Sequence, residues 1–308
     1  MINAPTHSAS ATQPKGGAMP LFANTLMVTD LDATFFSDPS RLAKRNLEAV
    51  EFFKSEGGYF TAATGRIAPN IRRAIPTANT LFNAPAITAN GACLYDLSTD
   101  RVVAATPMDA PRVKAVAALV QELDPRVGMR VSTDTGILVN ADRINDAILR
   151  DLDGDSVTRD RGDYIADIRP ISEWETDGAV WYKLVFRGER EALDAIRPTV
   201  EATFGEAFEY NNSSARFFEL QRRGCHKGTG LIALASYLQA RTGAPLRTIA
   251  VGDKENDLPM LRVADVAACP KVSLPAVQEL SHYHLCSCDE GAIADLIERL
   301  SDEARAGT

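Results

Sequence analysis

The segment Asp30-Leu31-Asp32 constrains this chain more than any other. It places two carboxylates one residue apart, directly after the apolar run Thr25-Leu26-Met27-Val28-Thr29, which is typical of a buried strand. Like charges so close to a buried strand repel each other and resist desolvation, so the fold needs a nearby positive charge. A bound Mg²⁺ is the simplest candidate because hard cations prefer oxygen ligands. Taken alone, the pair could equally belong to a turn or a helix cap.

Three later segments repeat this form, with an apolar, strand-like run that ends in polar residues. They are 58–63 before Thr64-Gly65-Arg66, 86–88 before Asn90-Gly91, and 248–251 before Gly252-Asp253-Lys254-Glu255-Asn256-Asp257. Ligands of open parallel sheets bind at the carboxyl ends of the strands. The four polar groups are therefore expected to converge on one crevice.

Lys227 is a candidate anion ligand. It lies in Cys225-His226-Lys227-Gly228, which opens a helical pattern with apolar residues at 231, 234, 235 and 238. The first turn of a helix already favours anions through its free N–H groups. A lysine is disfavoured there by the helix dipole, which supports a functional reason for it over a solvated side chain.

These motifs together resemble the haloacid dehalogenase superfamily, in particular its Cof-like phosphatases with a C2 cap. The matching residues are Asp30-Leu31-Asp32-Ala33-Thr34, Thr64-Gly65-Arg66, Lys227-Gly228 and Gly252-Asp253-Lys254-Glu255-Asn256-Asp257. The resemblance covers roughly residues 22–300. One departure is Ala33, where this family usually has glycine, and we expect it to alter the turn slightly without loss of the chemistry.

The resemblance implies the catalytic roles. Asp30 would be the nucleophile that forms an aspartyl-phosphate, and Asp32 would be the general acid and then the base. Thr64 and Gly65 would bind the phosphoryl group, and Lys227 would neutralise its charge in the transition state. Spacing alone does not distinguish the roles of the two aspartates.

The expected Mg²⁺ site consists of the carboxylates of Asp30 and Asp253 and the backbone carbonyl of Asp32. Asn256 is expected to reach the phosphate, and Asp257 to orient Lys227 or a metal-bound water. Both could instead cap the helix that begins near residue 258.

Two further residues are candidate substrate contacts. Asn90 follows a predicted strand, and Arg66 could either contact the substrate or form a salt bridge at the domain edge.

Composition excludes several classes of function. A net charge of -8 argues against non-specific binding of nucleic acid, and no apolar run reaches the length of a transmembrane span. Five scattered cysteines give neither a disulfide framework nor zinc-ligand spacing, which favours the cytoplasm. Residues 1–21 are rich in Ala, Ser, Thr and Pro and are expected to be a disordered tail.

We expect an α/β fold with a Rossmann-like parallel-sheet core and an inserted α+β cap domain. The core would comprise residues 22–92 and 218–308, and the cap residues 93–217, with helical patterns at 110–123, 142–152 and 189–204. The turn Asp134-Thr135-Gly136 predicts a hairpin within the cap. The polar stretch 159–177 could be a surface loop or could supply substrate contacts.

The function expected is a Mg²⁺-dependent phosphatase that hydrolyses a small phosphorylated metabolite, with a sugar phosphate as the expected substrate. A phosphomutase with the same aspartyl-phosphate is an alternative, and so is a non-catalytic regulator that binds a phosphorylated ligand.

Overall fold

The computed structural model describes residues 20–38, 41–140, 166–214 and 216–306. The helices are α1 (Lys44–Ser55), α2 (Ala68–Ala74), α3 (Ala78–Leu81), α4 (Ala110–Leu123), α5 (Arg190–Phe204), α6 (Lys227–Thr242), α7 (Leu258–Val263), α8 (Pro275–Leu280) and α9 (Ala292–Ala306). The first seven strands are β1 (Thr25–Thr29), β2 (Tyr59–Ala62), β3 (Ala86–Thr88), β4 (Cys93–Asp96), β5 (Arg101–Ala105), β6 (Gly128–Thr133) and β7 (Ile137–Asn140). The others are β8 (Ala166–Arg169), β9 (Trp181–Arg187), β10 (Phe208–Ser214), β11 (Phe217–Arg222), β12 (Arg247–Val251), β13 (Val266–Cys269) and β14 (Tyr283–His284).

A parallel sheet forms the core, with strand order β14-β13-β12-β1-β2 among the described residues. Its central strand β1 is buried on both faces. Met27 packs on the side of α1 and α9, whereas Leu26 and Val28 pack on the side of α6 and α7. A strand covered on both faces is apolar without alternation, which explains the continuous run at 25–29.

The carboxyl ends of three neighbouring strands lie at the same level. Thr29, the last residue of β1, is paired with Ala62 of β2 and with Val251 of β12. Because the strands are parallel and in register, the residues that follow each of them emerge at one edge of the sheet. This register brings the polar segments that begin at 30, 64 and 252 together.

A second sheet, which we call the cap sheet, has the strand order β10-β11-β9-β6-β7-β8 within the described residues. Its pairs are antiparallel except for β7 with β8. One face carries a separate apolar cluster that includes Leu184, Phe186 and Phe218 and packs against α4 and α5. The expected class, a parallel-sheet core with an inserted α+β cap, is confirmed.

Several local predictions are confirmed. The helix expected at 110–123 is α4, and the one expected at 189–204 is α5, which begins at residue 190. The hairpin at Asp134-Thr135-Gly136 joins β6 to β7. The helix expected at 142–152 and most of the expected tail at 1–21 lie outside the described residues.

The domain boundaries at 93 and 217 stay a prediction. Strands β4 and β5 pair in sequence with β3, which is itself bridged to the end of β2 through Ala63 and Ile87. Residues 93–105 therefore extend from the edge of the core sheet before the chain enters α4 and the cap sheet. None of the helices within the described residues has the length and apolar character needed to span a bilayer.

Candidate active site

Lys227 lies at the centre of the site and is completely buried. Its Nζ donates to Oδ1 of Asp30 at 2.5 Å and to Oδ1 of Asp257 at 2.6 Å. Burial acts to lower the pKa of Lys227, but the negative charges of Asp257 and Asp30 outweigh burial and raise the pKa above its ordinary value. The lysine is therefore charged and shared between two carboxylates.

The helix that carries Lys227 begins where it does because His226 caps it. His226 Nδ1 accepts a hydrogen bond from the Thr229 backbone N–H at 3.1 Å, and the His226 N–H donates to the Thr229 hydroxyl oxygen. These two hydrogen bonds satisfy the backbone N–H groups of His226 and Thr229 at the start of the helix. They thereby fix Lys227 in its first turn. The structural role of His226 is therefore that of a helix cap.

Asp257 holds the turn after β12 as well as Lys227. Its Oδ2 accepts hydrogen bonds from the backbone N–H groups of Asp253 and Lys254, both at 3.0 Å. A Cβ at Gly252 would lie 2.4 Å from Cβ of Asp257, so only glycine allows this side chain to fold beneath the turn. The expectation that Asp257 orients Lys227 agrees with this geometry.

The carboxylates of Asp30, Asp253 and Asp257 form a buried cluster whose oxygen atoms lie within 4.8 Å of one another. Burial raises the pKa of Asp30 to about 7, against the opposing effect of Lys227, and burial also raises the pKa of Asp253. Asp253 accepts a hydrogen bond from the Thr34 hydroxyl at 3.0 Å. Lys254, which is half exposed, lies 3.6 Å from Asp253 and adds a second positive charge beside Lys227. Three carboxylates against two lysines still leave excess negative charge, so the oxygen donors here suit a divalent metal ion.

Asp32 is held apart from this cluster. Arg66 donates from Nε to Oδ2 of Asp32 at 2.9 Å and from Nη2 to Oδ1 at 2.6 Å, a bidentate pair. The Asp32 side chain is 47% exposed, in contrast to the buried cluster. Of the two roles considered for Arg66, the structure shows the salt bridge. The residue that Arg66 pairs with is Asp32, the expected general acid.

The turn after β1 holds Ala33 in a backbone conformation that favours glycine. Ala33 has a φ of +70°, in the left-handed region that glycine adopts without cost. The turn is closed by a hydrogen bond from the Ala33 N–H to the Phe36 carbonyl at 2.8 Å. The turn thus keeps the backbone that a glycine would favour, and the alanine is strained.

The remaining predicted residues lie around a pocket of about 290 Å³ above Asp30. Thr64, Gly65, Asn90 and Asn256 line it together with Asp30, Asp32 and Arg66. Asn256 donates from Nδ2 to Oδ1 of Asn90 at 3.3 Å. Asp253, Asp257 and Lys227 stand behind Asp30 and do not line the pocket. The predicted residues are therefore gathered at one edge of the sheet.

Sequence reasoning missed the wall that the cap sheet contributes to this pocket. The cap residues that line it come from β6, β7, β9 and β11; they are Arg130, Ser132, Ile137, Lys183, Phe217 and Glu219. The described part of the stretch 159–177, residues 166–177, contributes nothing to the lining and faces a different cavity through Arg169 and Glu173. In β11 the alternation of Glu219 and Gln221 with Phe218 and Leu220 was the available signal.

Comparisons with known proteins agree with the geometry. The chain is 23% identical over 280 residues to the 5-amino-6-(5-phospho-D-ribitylamino)uracil phosphatase YitU of Bacillus subtilis, covering 89% of this chain and 96% of that protein. A solved haloacid dehalogenase-like hydrolase from B. subtilis superposes with a TM-score of 0.73 at 20% identity, covering 90% and 99% of the two chains. The solved subclass IIB sugar phosphatase BT4131 superposes with a TM-score of 0.69 at 19% identity, covering 89% and 98%.

The family follows from a match over most of the chain. Residues 27–297 match the haloacid dehalogenase-like hydrolase family, a range that begins within β1 and ends within α9. The expectation of an enzyme of the phosphatase class is confirmed. The chain belongs to the haloacid dehalogenase-like hydrolases.

Proposed function

We propose that this protein is a Mg²⁺-dependent phosphatase that hydrolyses a small phosphorylated metabolite, a sugar or sugar-alcohol phosphate, through a phosphoryl group carried on Asp30. The observation that carries the proposal is the position of the Asp30 carboxylate. One of its oxygens binds the buried Lys227, and the residue lines the pocket. A fixed carboxylate below a pocket is suited to attack phosphorus in line.

In the first step, an oxygen of Asp30 attacks phosphorus and the bond from phosphorus to the leaving oxygen breaks. Asp32 donates its proton to that oxygen. In the second step, Asp32 takes a proton from water, the water oxygen attacks phosphorus, and the bond to Asp30 breaks. Phosphate leaves and both aspartates return to their starting state. Asp32 can serve both steps because its side chain is half exposed and at the pocket.

Thr64 and the Gly65 turn would bind the phosphoryl oxygens from the pocket wall, and Lys227, whose ammonium contacts Asp30, would neutralise the charge of the phosphoryl group. Thr64 is buried and its backbone is fixed by hydrogen bonds with Ile87 and Asn90, at 2.9 Å each. A rigid donor set stabilises the transition state more than the ground state because it needs no reorganisation.

The carboxylates of Asp30 and Asp253 would hold the metal ion, with the Asp32 backbone carbonyl as a further ligand. When bound, Mg²⁺ supplies positive charge that offsets the carboxylates and the phosphate. The buried cluster supports this assignment, since its three carboxylates face two lysines, the buried Lys227 and the half-exposed Lys254 beside Asp253, and so keep an excess of negative charge.

The size and cover of the pocket support a small substrate. At about 290 Å³ it lies at the lower end of ligand pockets, and the cap sheet stands over it. YitU is named for a substrate with a phosphorylated ribityl chain, and BT4131 is named a sugar phosphatase. We accordingly propose residues 93–217 as a cap that limits which metabolites enter.

A panel assay tests this function. Purified protein is offered sugar, sugar-alcohol and nucleoside phosphates and p-nitrophenyl phosphate, with Mg²⁺ or with a chelator, and released phosphate is measured. We expect release from sugar-type esters that requires Mg²⁺ and that the variant Asp30→Asn lacks. Phosphate release in the presence of chelator, or product isomers without phosphate release, would contradict the proposal.

A further inference from the structure

A buried ion pair stands in the wall that the cap sheet presents to the pocket. Lys183 on β9 and Glu219 on β11 have side chains that are 8% and 5% exposed. Nζ of Lys183 lies 3.2 Å from both carboxylate oxygens of Glu219. Both residues line the same pocket as Asp30. The pair therefore faces the place that a leaving group would occupy.

The strands place this pair on the pocket side by alternation. Leu184, Phe186 and Phe218 belong to the apolar cluster on the other face of the cap sheet. Successive residues of a strand point to opposite faces, so Lys183 and Glu219 share the face away from that cluster. The register pairs Lys183 with Ser132 of β6, which also lines the pocket. The polar side of the sheet is thus directed at the site.

Burying this pair is expensive for the fold. Two charges removed from water lose hydration, and their mutual attraction often does no more than compensate for that loss. Apolar residues of similar size would stabilise a sheet at least as well. A charge pair kept in the wall of a pocket is better explained by a ligand that uses it.

The pair lies directly beside the phosphate-binding turn. Nζ of Lys183 is 3.5 Å from the carbonyl oxygen of Gly65, and the neighbouring Gln221 donates to the Ala89 carbonyl at 2.7 Å. A group attached to a phosphate held at Thr64 and Gly65 would therefore lie close to Lys183 and Glu219.

We propose that Lys183 and Glu219 bind hydroxyl groups of an uncharged, polyhydroxylated leaving group. This inference rests on the proposed phosphatase function and names the residues that select its substrate. A hydroxyl both donates and accepts, so neighbouring hydroxyls can accept from the Lys183 ammonium and donate to the Glu219 carboxylate. The opposite charges cancel, which disfavours a leaving group that carries its own net charge.

The test compares substrates with the same phosphate and different leaving groups. The probes are ribose 5-phosphate and sorbitol 6-phosphate, which carry hydroxyls; p-nitrophenyl phosphate, which carries none; and phosphoglycolate, whose leaving group is anionic. The readout is kcat/KM for each probe with its separate kcat and KM. We expect the wild type to prefer a hydroxylated probe to phosphoglycolate.

Two variants alter the pair. Glu219→Gln is nearly isosteric and removes the acceptor charge, whereas Lys183→Met with Glu219→Leu replaces both charges by apolar groups, a change that buried pairs tolerate. We expect each to lower kcat/KM for the hydroxylated probe, relative to p-nitrophenyl phosphate, by about 100-fold, mainly through KM. The matched control is Lys114→Met, because Lys114 is a lysine of α4 that donates to backbone carbonyls and does not line this pocket.

The outcomes separate the two proposals. An equal loss on all probes, a preference for phosphoglycolate, or a loss in Lys114→Met as large as in the pair variants would overturn this inference alone. Phosphoglycolate is a stringent comparison, because Arg130 also lines the wall and its positive charge would attract an anionic leaving group. A wild-type protein that releases no phosphate even from p-nitrophenyl phosphate would overturn the proposed function together with the inference. A loss of kcat/KM that is confined to the hydroxylated probes supports the inference, provided that melting curves show the variants to be folded.

Discussion

Replacing Lys227 by methionine tests how the charges of the site are balanced. Methionine has nearly the same length and leaves Asp30 and Asp257 buried without their shared ammonium. Removing one partner of a buried ion pair costs about 3–5 kcal/mol because the remaining charge stays in a medium of low polarity. In a chain of this size, a loss of that order lowers the melting temperature by about 10 °C.

Activity and stability should respond differently to a second change. Asp257→Asn removes one of the two orphaned charges, while its amide oxygen can still accept from the Asp253 and Lys254 backbone N–H groups. We expect the double variant Lys227→Met/Asp257→Asn to regain part of the lost stability. Its kcat should stay about 10²–10³-fold below wild type, because the positive charge beside Asp30 that stabilises the transition state is still missing.

The assay is thermal unfolding with and without Mg²⁺, alongside phosphate release. Mg²⁺ should stabilise Lys227→Met more than wild type, since it supplies the missing positive charge. Lys44→Met is the control, because Lys44 is 88% exposed and its loss should change stability by less than about 0.5 kcal/mol. A Lys227→Met protein as stable as the control, or a double variant less stable than the single, would refute this reasoning.

The other predictions concern the turn, the ion pair at the general acid and the metal site. Ala33→Gly should raise the free energy of unfolding by about 1 kcal/mol in chemical denaturation, because the φ of +70° no longer strains a side chain. A variant with a free energy of unfolding below that of the wild type would count against the strain. Arg66→Ala should impair kcat more than KM in steady-state assays if Arg66 positions Asp32, and a change in KM alone would assign Arg66 to substrate binding. The affinity for Mg²⁺, measured by calorimetry, should rise with pH and level off above about 7, where Asp30 loses its proton, and an affinity independent of pH between 5 and 8 would contradict the raised pKa. The metal-free protein should lose stability as pH rises from the ordinary pKa of 3.8 to about 7, because the folded state holds the Asp30 proton more tightly than the unfolded chain, and a rise in stability over that range would reverse the sign. Ca²⁺ should inhibit phosphate release, because its larger and looser coordination shell spoils the in-line geometry.

The sequence predicted the parts of the site that are local. Asp30 and Thr64 follow an apolar run directly, and Asp253 follows one after Gly252; the parallel register of β1, β2 and β12 then brings them to one edge. Lys227 was predicted because a lysine at a helix start is unusual. Such signals depend on a few neighbouring residues, which a single sequence displays.

The parts that were not predicted depend on contacts between distant residues. Arg66 reaches Asp32 across 34 positions, and Lys183 meets Glu219 across 36. Strand pairing decides which face of the cap sheet, and so which of its polar residues, is directed at the site. No local sequence pattern fixes that pairing. The buried carboxylate cluster likewise contains Asp257 beside Asp30 and Asp253, and it does not contain the side chain of Asp32.

The central claim is that Asp30 carries the phosphoryl group during turnover. Acid quenching of the enzyme during hydrolysis of p-nitrophenyl phosphate, followed by mass spectrometry of the peptide that contains Asp30, tests it most directly. Asp32→Asn should increase the trapped amount, because the second step lacks its base. We predict a phosphorylated Asp30 that hydroxylamine removes and that Asp30→Asn lacks. Inversion of configuration at phosphorus, or a phosphoryl group on another residue, would contradict the account.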